Sequence, residues 1–272
     1  MRVVEFGNPT LFDSHAHLDA PEFKDDLDAI IQRARGVGVV GIVAVGTDVE
    51  STKRSIEIAH CYEGVHATVG FHPNDSTQFG KPEEEALRAL CSDPKVVAIG
   101  ETGLDYYRDH APKETQRDAF LRHLQMAADF SLPVILHNRE AALDCLSILK
   151  EFGARLRGVT HCFSGDEATA RKFLDLGFYI SIAGPVTFSN ARNLTHIAGI
   201  VPDDRLLIET DCPWLAPAPM RGKRNEPSFV RYTAQIIAGL RHVSTNELGE
   251  ITTRNARGLF RKSAQEGSGL DI

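Results

Sequence analysis

The sequence predicts an α/β fold of the (β/α)8 barrel class, formed by residues 1–272 as a single domain with extra helices after the last strand. Eight short apolar runs start at residues 11, 39, 67, 96, 133, 158, 178 and 205, which spaces them 20 to 37 residues apart. Most of the intervals also hold a helical pattern with a polar face. The runs are nearly continuous in apolar residues, as expected for parallel strands buried on both faces.

The strands are predicted from β-branched and apolar runs, and the helices from the 3.6-residue period between them. The strands are Leu11–Ser14, Val39–Val45, Ala67–Gly70, Val96–Gly100, Pro133–Leu136, Gly158–Thr160, Phe178–Ile182 and Arg205–Ile208. The intervening helices are Asp25–Arg35, Ser51–Cys61, Glu83–Leu90, Thr115–Phe130, Glu140–Phe152 and Asp166–Leu176. A loop rich in proline and basic residues, Ala216–Pro227, precedes the helices Phe229–Leu240 and Thr245–Lys262, and Glu266–Ile272 is expected to be a frayed tail.

Composition excludes several classes of protein. The chain has 30 basic and 37 acidic residues, a net charge of −7, which argues against a general nucleic-acid coat but leaves room for a locally basic cleft. The longest apolar stretch, Val37–Gly46, is far shorter than the ~20 residues of a membrane span. Because the first residues do not resemble a signal peptide and the five cysteines include no Cys-x-x-Cys pair, we expect a reduced, cytoplasmic protein.

Potential metal ligands cluster where the predicted strands end. His15 and His17 have the i, i+2 spacing that points both imidazoles to one side of an extended segment. Further candidates follow other strands: His72, Glu101, His137, His161 and Asp211. In a barrel of this class the carboxyl ends of the strands converge on one mouth, where active sites are built. Buried imidazoles and carboxylates are costly without partners, which favours a functional site over a polar core.

The number of candidate ligands predicts two divalent ions rather than one. Four histidines and two carboxylates are too many for a single tetrahedral ion with an open position. One ion can take His15, His17 and Asp211, and the other His137 and His161, with Glu101 bridging them. Imidazole suits Zn, Mn, Co, Ni or Fe better than Mg, which prefers oxygen ligands, so the identity of the metal stays open among these ions.

Seven short motifs follow one another along nearly the whole chain, from about Leu11 to Phe260. They are Phe12–Asp19, Gly70–Pro73, Gly100–Tyr106, Pro133–Glu140, His161–Gly165, Glu209–Pro213 and Arg224–Pro227. This set resembles the TatD family of metal-dependent deoxyribonucleases, which belongs to the amidohydrolase-like barrels. The resemblance implies a divalent-metal nuclease that trims DNA as a 3′–5′ exonuclease, with ligands at the same six positions. Glu101 stands where many amidohydrolase barrels carry a carboxylated lysine, which favours the TatD reading.

The catalytic roles are predicted for Asp211, Glu101 and His72. Asp211 can accept the proton of the attacking water, and His72 can donate a hydrogen bond to a phosphate oxygen, unless it is only a buried structural imidazole. Substrate contacts are predicted at Arg139 and at the cations of the basic loop, Arg221, Lys223 and Arg224. The resemblance to the family motif supports Arg224 and adds Asn225. Tyr106 and Tyr107 either stack on a splayed base or only pack the loop, and Glu209 is expected to orient a ligand imidazole.

Three functions remain open from the sequence. The first is a phosphodiesterase acting on DNA, with single strands or frayed ends as substrate and no membrane or obligate protein partner. The second is a metal-dependent ester or amide hydrolase, for example one acting on an aminoacyl-tRNA ester or a small lactone. The third is a binding barrel that keeps its metals for stability, against which the complete ligand set and the candidate base count.

Overall fold

The computed structural model describes residues 9–108 and 110–261, in which eight parallel strands pair in the order β1 to β8. The strands are β1 Leu11–Ala16, β2 Val39–Ala44, β3 Val65–Val69, β4 Val96–Asp105, β5 Val134–Arg139, β6 Gly158–Thr160, β7 Tyr179–Ile182 and β8 Leu206–Ile208. The α-helices of this part of the chain are α1 Leu27–Gly36, α2 Val49–Cys61, α3 Lys81–Leu90, α4 Lys113–Phe130, α5 Ala142–Phe152, α6 Glu167–Asp175, α7 Arg192–Ile200, α8 Val230–Arg241 and α9 Thr245–Phe260.

This order confirms the predicted (β/α)8 barrel with additional C-terminal helices. The last strand returns to the first: Ala16 and Cys212 form a parallel bridge, and the Asp211 amide donates to the His15 carbonyl at 2.9 Å. The predicted tail Glu266–Ile272 and the end of the last predicted helix, Lys262, lie outside the described residues. That residues 1–272 form a single domain stays a prediction.

The fourth and fifth strands are longer than predicted, and this lengthening carries functional residues. β4 continues beyond Gly100 to Asp105, and its added residues pair with β5 from Thr102 opposite Leu136 to Asp105 opposite Arg139. Gly103 has φ 144°, and a Cβ at this position would collide with the His137 carbonyl oxygen, so the close approach of the two strands requires glycine. Glu101 and His137 therefore lie within strands rather than after them.

Helix α7, between β7 and β8, has no counterpart among the predicted helices. Its N-cap residue, Ala191, makes no side-chain cap hydrogen bond, and the helix includes Gly199 and the β-branched Thr195, so it carries weak local signals. Packing provides what the local sequence lacks, because Ile197 and Ala198 are fully buried.

The core lies between the barrel strands and the surrounding helices. Phe120 on α4, Leu149 on α5 and Phe173 on α6 are essentially inaccessible to solvent, and each such side chain contributes about 1.5–3 kcal/mol through burial. The rigid strands thereby hold the loops at their carboxyl ends in fixed positions. Among the described helices, none combines the length and apolar character needed to cross a membrane.

Candidate metal centre and active site

Glu101 lies at the centre of the candidate site, and its two carboxylate oxygens face two different pairs of histidines. Oε1 lies 2.7 Å from His137 Nδ1 and 2.8 Å from His161 Nε2. Oε2 lies 3.3 Å from His15 Nε2 and 3.6 Å from His17 Nε2. The residue is 3 % exposed, so solvent does little to screen these interactions.

Asp211 completes the side of the site that faces His15 and His17. Its Oδ1 atom lies 3.6 Å from His15 Nε2 and 3.4 Å from His17 Nε2. The backbone of Asp211 has φ 56°, in the left-handed region that a non-glycine residue seldom adopts. Backbone strain of this kind persists where the surroundings enforce it, and it is common at functional sites.

The donor atoms form three overlapping clusters that could hold a cation, each with its atoms within 4.8 Å of one another. His15, His17 and Asp211 form the group predicted from the sequence for the first ion. The other clusters cross the predicted grouping: one joins His15 with Glu101 and His161, and the other joins His72 with Glu101 and His137. None of the three clusters contains a cysteine. The structure thus brings all six predicted ligands together and adds His72 to their neighbourhood.

The charges of the cluster stabilise one another. Burial alone would raise the pKa of Glu101, but the neighbouring imidazoles, His161 foremost, hold that pKa well below its usual value. Burial alone would lower the pKa of His161, whereas the adjacent Glu101 carboxylate raises it well above the usual value. The carboxylate thus remains ionised and attracts positive charge, which protons supply on the imidazoles and which divalent cations can supply equally.

His72 is neutral, and its proton lies on the nitrogen that faces the site. Burial lowers the pKa of His72 to about 3. Its Nδ1 atom accepts a hydrogen bond from the Asn74 amide at 3.1 Å, so the proton of the neutral ring is on Nε2. Nε2 lies 3.5 Å from Glu101 Oε1 and borders the cavity above the site. The ring is therefore arranged as a hydrogen-bond donor towards the cavity.

Two further carboxylates hold the ligand imidazoles in position. Asp105 Oδ2 lies 3.0 Å from His137 Nε2, while Asp105 Oδ1 accepts hydrogen bonds from two backbone amides that follow it. Glu209 Oε1 accepts a hydrogen bond from the Cys162 amide at 2.6 Å and lies 3.5 Å from His161 Nδ1. Such carboxylates fix the tautomer and orientation of a ligand histidine.

Asp105 has no role in the sequence-based predictions, although a signal for it exists. Positions 101, 103 and 105 fall on one face of an extended strand, so Asp105 shares the face of Glu101 once β4 is known to continue that far. The predicted end of the strand at Gly100 concealed this relationship. Cys162 lies beyond the end of β6 at Thr160 and is partly exposed at the cavity.

The segment that carries Asp211 is braced from both sides by buried polar groups. Asp13 accepts hydrogen bonds from the Thr210 amide at 2.9 Å and from the Thr210 hydroxyl at 2.6 Å. Asn225 Nδ2 donates to the carbonyl oxygens of Thr210 at 2.9 Å and of Trp214 at 2.5 Å, and Asn225 is fully buried. These bonds hold the backbone on both sides of the strained Asp211.

The predicted substrate contacts divide into two groups. Arg139, Arg221 and Lys223 are exposed, and Arg139 lines the catalytic cavity. Asn225 is fully buried, whereas Arg224 is exposed at the surface, where it forms two hydrogen bonds with Asp26 at 2.6 and 3.0 Å. The structure therefore corrects the prediction for Asn225, because its buried amide donates to two backbone carbonyl oxygens and does not face a substrate. A substrate contact by Arg224 stays a prediction.

The cavity above the cluster has a volume of about 560 Å³, within the usual range for a small-molecule or cofactor site. His17, His72, Glu101 and Asp211 form its polar base. Trp214, which sequence analysis did not single out, lies at its rim, 52 % exposed and with its ring centre 4.9 Å from that of His17. An aromatic residue directly after the Asp211 motif was the available signal.

Comparison with known proteins agrees with this geometry. The model of the family described as TatD related DNase matches residues 12–261. The chain belongs to the TatD family. The uncharacterized metal-dependent hydrolase YabD of Bacillus subtilis is 45 % identical over 92 % of this chain and 99 % of its own length. The 3′-5′ ssDNA/RNA exonuclease TatD of Erwinia tasmaniensis is 37 % identical over 92 % of this chain and 99 % of its own length.

A solved TatD homologue, YJJV from Escherichia coli, superposes with a TM-score of 0.89 at 30 % identity, covering 93 % of this chain and 99 % of its own. The TatD relationship therefore extends from sequence to the whole barrel. The chain belongs to a family of metal-dependent hydrolases, and its own cluster of histidines and carboxylates offers groups that could hold metal ions.

Proposed function

We propose that this TatD protein is a divalent-metal-dependent nuclease that removes nucleotides from the 3′ ends of single-stranded DNA. The observation that carries the proposal is the position of Glu101, with one carboxylate oxygen towards His137 and His161 and the other towards His15 and His17. A carboxylate shared in this way suits two neighbouring cations.

The donor set fits such cations. His15 Nε2 and His17 Nε2 approach each other to 3.1 Å, and His161 Nε2 approaches His137 Nδ1 to 3.3 Å. Imidazole nitrogens converge in this way on a common point when they share a ligand, and imidazole with carboxylate is a donor set for Zn, Mn, Co or Ni, with Mg less favoured. One ion would be held by His15, His17 and Asp211 and the second by His137 and His161, with Glu101 between them.

The chain's own residues perform the remaining tasks in the reaction. Divalent cations, when bound, supply positive charge that activates water and neutralises charge on a phosphoryl group. Asp211 faces the cavity with 14 % of its side chain exposed, and its carboxylate accepts the proton of the attacking water. The Nε2–H group of His72 donates to a non-bridging phosphate oxygen, and Arg139 holds a phosphate at the rim.

A phosphate-rich substrate is favoured by the exposed cations at the carboxyl ends of the strands, Arg139, Arg221 and Lys223. The exonuclease named among the relatives acts on single-stranded DNA or RNA, which supports the same class of substrate here. We also propose a cytoplasmic location, since none of the five cysteines, all of which lie in the described part of the chain, forms a disulfide.

The test uses protein reconstituted with Mn²⁺, Co²⁺ or Zn²⁺ and incubated separately with 5′-end-labelled single-stranded DNA, duplex DNA and aminoacyl-tRNA. We expect a ladder of progressively shorter labelled products from the single strand, slower cleavage of the duplex and no deacylation. Asp211→Asn should abolish the ladder because an amide is a poor proton acceptor. The exposed Asp204→Asn is the matched control, expected to cleave like the parent. Deacylation without DNA cleavage would replace the proposal with an ester hydrolase.

A further inference from the structure

A second cavity lies beside the catalytic one and is continuous with it. It has a volume of about 680 Å³ and lies between the segment after β4, the start of α5 and the loop after β6. Asn138, Arg139 and Ser164 line both cavities. A polymeric substrate with its scissile phosphate at the metal centre would therefore have one neighbouring nucleotide at the mouth of the second cavity.

We propose that this second cavity is a nucleobase subsite, with Tyr107 and Arg139 as its stacking platform, which binds the base on one side of the scissile phosphate. The proposal rests on the proposed nuclease function and extends it, because it assigns to the enzyme a minimum substrate of two nucleotides. Its basis is the shape, charge and exposure of the residues that line the cavity.

The exposed surfaces of the cavity are suited to a flat base. Tyr107 is 56 % exposed, and the Arg139 guanidinium carbon lies 4.1 Å from the centre of its ring. Leu143, at the beginning of α5, is 74 % exposed and adds apolar surface to the same cavity. Bases stack on aromatic rings and on guanidinium planes, and large exposed apolar side chains at a cavity favour a ligand with apolar faces.

Tyr106 does not share this role. Its hydroxyl donates to Asp144 Oδ2 at 2.6 Å, and the Lys113 ammonium lies 4.1 Å above its ring. Its polar end is therefore already in use, and the residue is only partly exposed. The sequence treats Tyr106 and Tyr107 alike, but only Tyr107 is left exposed as a platform, while Tyr106 packs the loop.

The charges within the cavity place the base inside it and the phosphate outside. The carboxylates of Glu140 and Asp144 line the second cavity, where they would repel a phosphate group. Arg139 lines both cavities and is positioned for a backbone phosphate where they meet, whereas the two carboxylates line only the second cavity. A base, which carries no net charge, is compatible with a cavity lined by these carboxylates. Because every base has a stacking face, such a subsite tolerates any sequence.

The experiment compares a thymidine dinucleotide with two analogues that lack the base on one side or the other of the phosphodiester, using the metal-reconstituted holoenzyme. For the parent, removal of one of the two bases should lower kcat/KM by about tenfold, chiefly through KM. Tyr107→Ala should lower kcat/KM for the intact dinucleotide by a similar factor. For the analogue that already lacks the base of this subsite, the same substitution should lower kcat/KM only slightly. Tyr107→Phe should restore the parent value, because the ring without its hydroxyl still stacks.

Two controls separate stacking from structure. Tyr62→Ala removes an aromatic side chain beyond the end of α2, at the opposite end of the barrel, and should not change the preference for the intact dinucleotide. Leu143→Ala, on an exposed side chain, provides a second independent probe of the cavity and should weaken binding of the intact dinucleotide more than binding of the analogue that lacks the base of this subsite.

Equal losses by Tyr107→Ala on the intact and abasic substrates, or a parent enzyme indifferent to both missing bases, would overturn the subsite while leaving the nuclease function in place. A parent that hydrolyses none of the three substrates, nor the longer single strand, would overturn the nuclease function and the subsite with it.

Discussion

The substitution Asn225→Ala distinguishes a structural brace from a substrate contact, because the two roles predict different measurements. Truncation removes a side chain that donates to the carbonyl oxygens of Thr210 and Trp214 and accepts from the Glu226 amide at 3.0 Å. Each backbone group left buried without a partner costs about 1–3 kcal/mol. With one of the three groups partly accessible to water, we expect a loss of about 3 kcal/mol in the free energy of unfolding.

Thermal unfolding followed by circular dichroism measures this loss. For a chain of this size, 3 kcal/mol corresponds to a fall in Tm of roughly 6–12 °C. At 25 °C, where the variant remains folded, kcat should fall about tenfold to a hundredfold, because Asp211 follows Thr210 and loses its support. KM should change less than kcat, since Asn225 is buried and the substrate cannot reach it.

Asn255→Ala is the matched control. Asn255 on α9 is also buried, and its Nδ2 atom donates to two carbonyl oxygens, those of Asp203 at 2.6 Å and Leu206 at 2.9 Å. Because Leu206 begins β8, this pair lies at the end of the barrel away from the metal centre. The control should lose similar stability and keep the parent kcat. An Asn225→Ala variant with unchanged Tm and a raised KM alone would refute the brace and restore the substrate contact.

Three further predictions concern metal content, phosphate binding and pH. His161→Ala should bind one divalent ion fewer than the parent by elemental analysis, and equal contents would argue against two ions. Arg221→Ala and Lys223→Ala should each reduce the magnitude of the slope of log affinity for single-stranded DNA against log salt by about 0.7, measured with the Asp211→Asn enzyme. Arg224→Ala should leave the slope near the parent value, because Arg224 already pairs with Asp26 at the surface. Burial lowers the pKa of His123 from 6.5 to about 4, so the folded state disfavours its protonation. The contribution of neutral His123 to the free energy of unfolding is fully present above about pH 6.5, and it falls by up to about 3 kcal/mol as the pH approaches 4. The free energy of unfolding of His123→Leu, measured by denaturation, should depend less steeply on pH than that of the parent. Parallel curves for the variant and the parent would contradict the lowered pKa of His123.

The sequence alone was sufficient for the barrel and for the convergence of six candidate ligands. Both follow from local rules: buried parallel strands are continuous apolar runs, and the residues that follow them meet at one end of a closed sheet. His15 and His17 could be paired from their spacing, because alternation along an extended segment is a property of the backbone.

Tertiary structure decided which polar groups support the ligands and which residues remain available to a substrate. β4 continues to Asp105 because its residues pair with β5, a contact between segments about 35 residues apart that no local pattern contains. The same reason applies to Arg224, whose partner Asp26 is remote in sequence, and to Asn225, whose carbonyl partners are defined by the path of the β8 loop. Local periodicity determines elements and their faces, whereas hydrogen-bond partners depend on which surfaces the fold brings together.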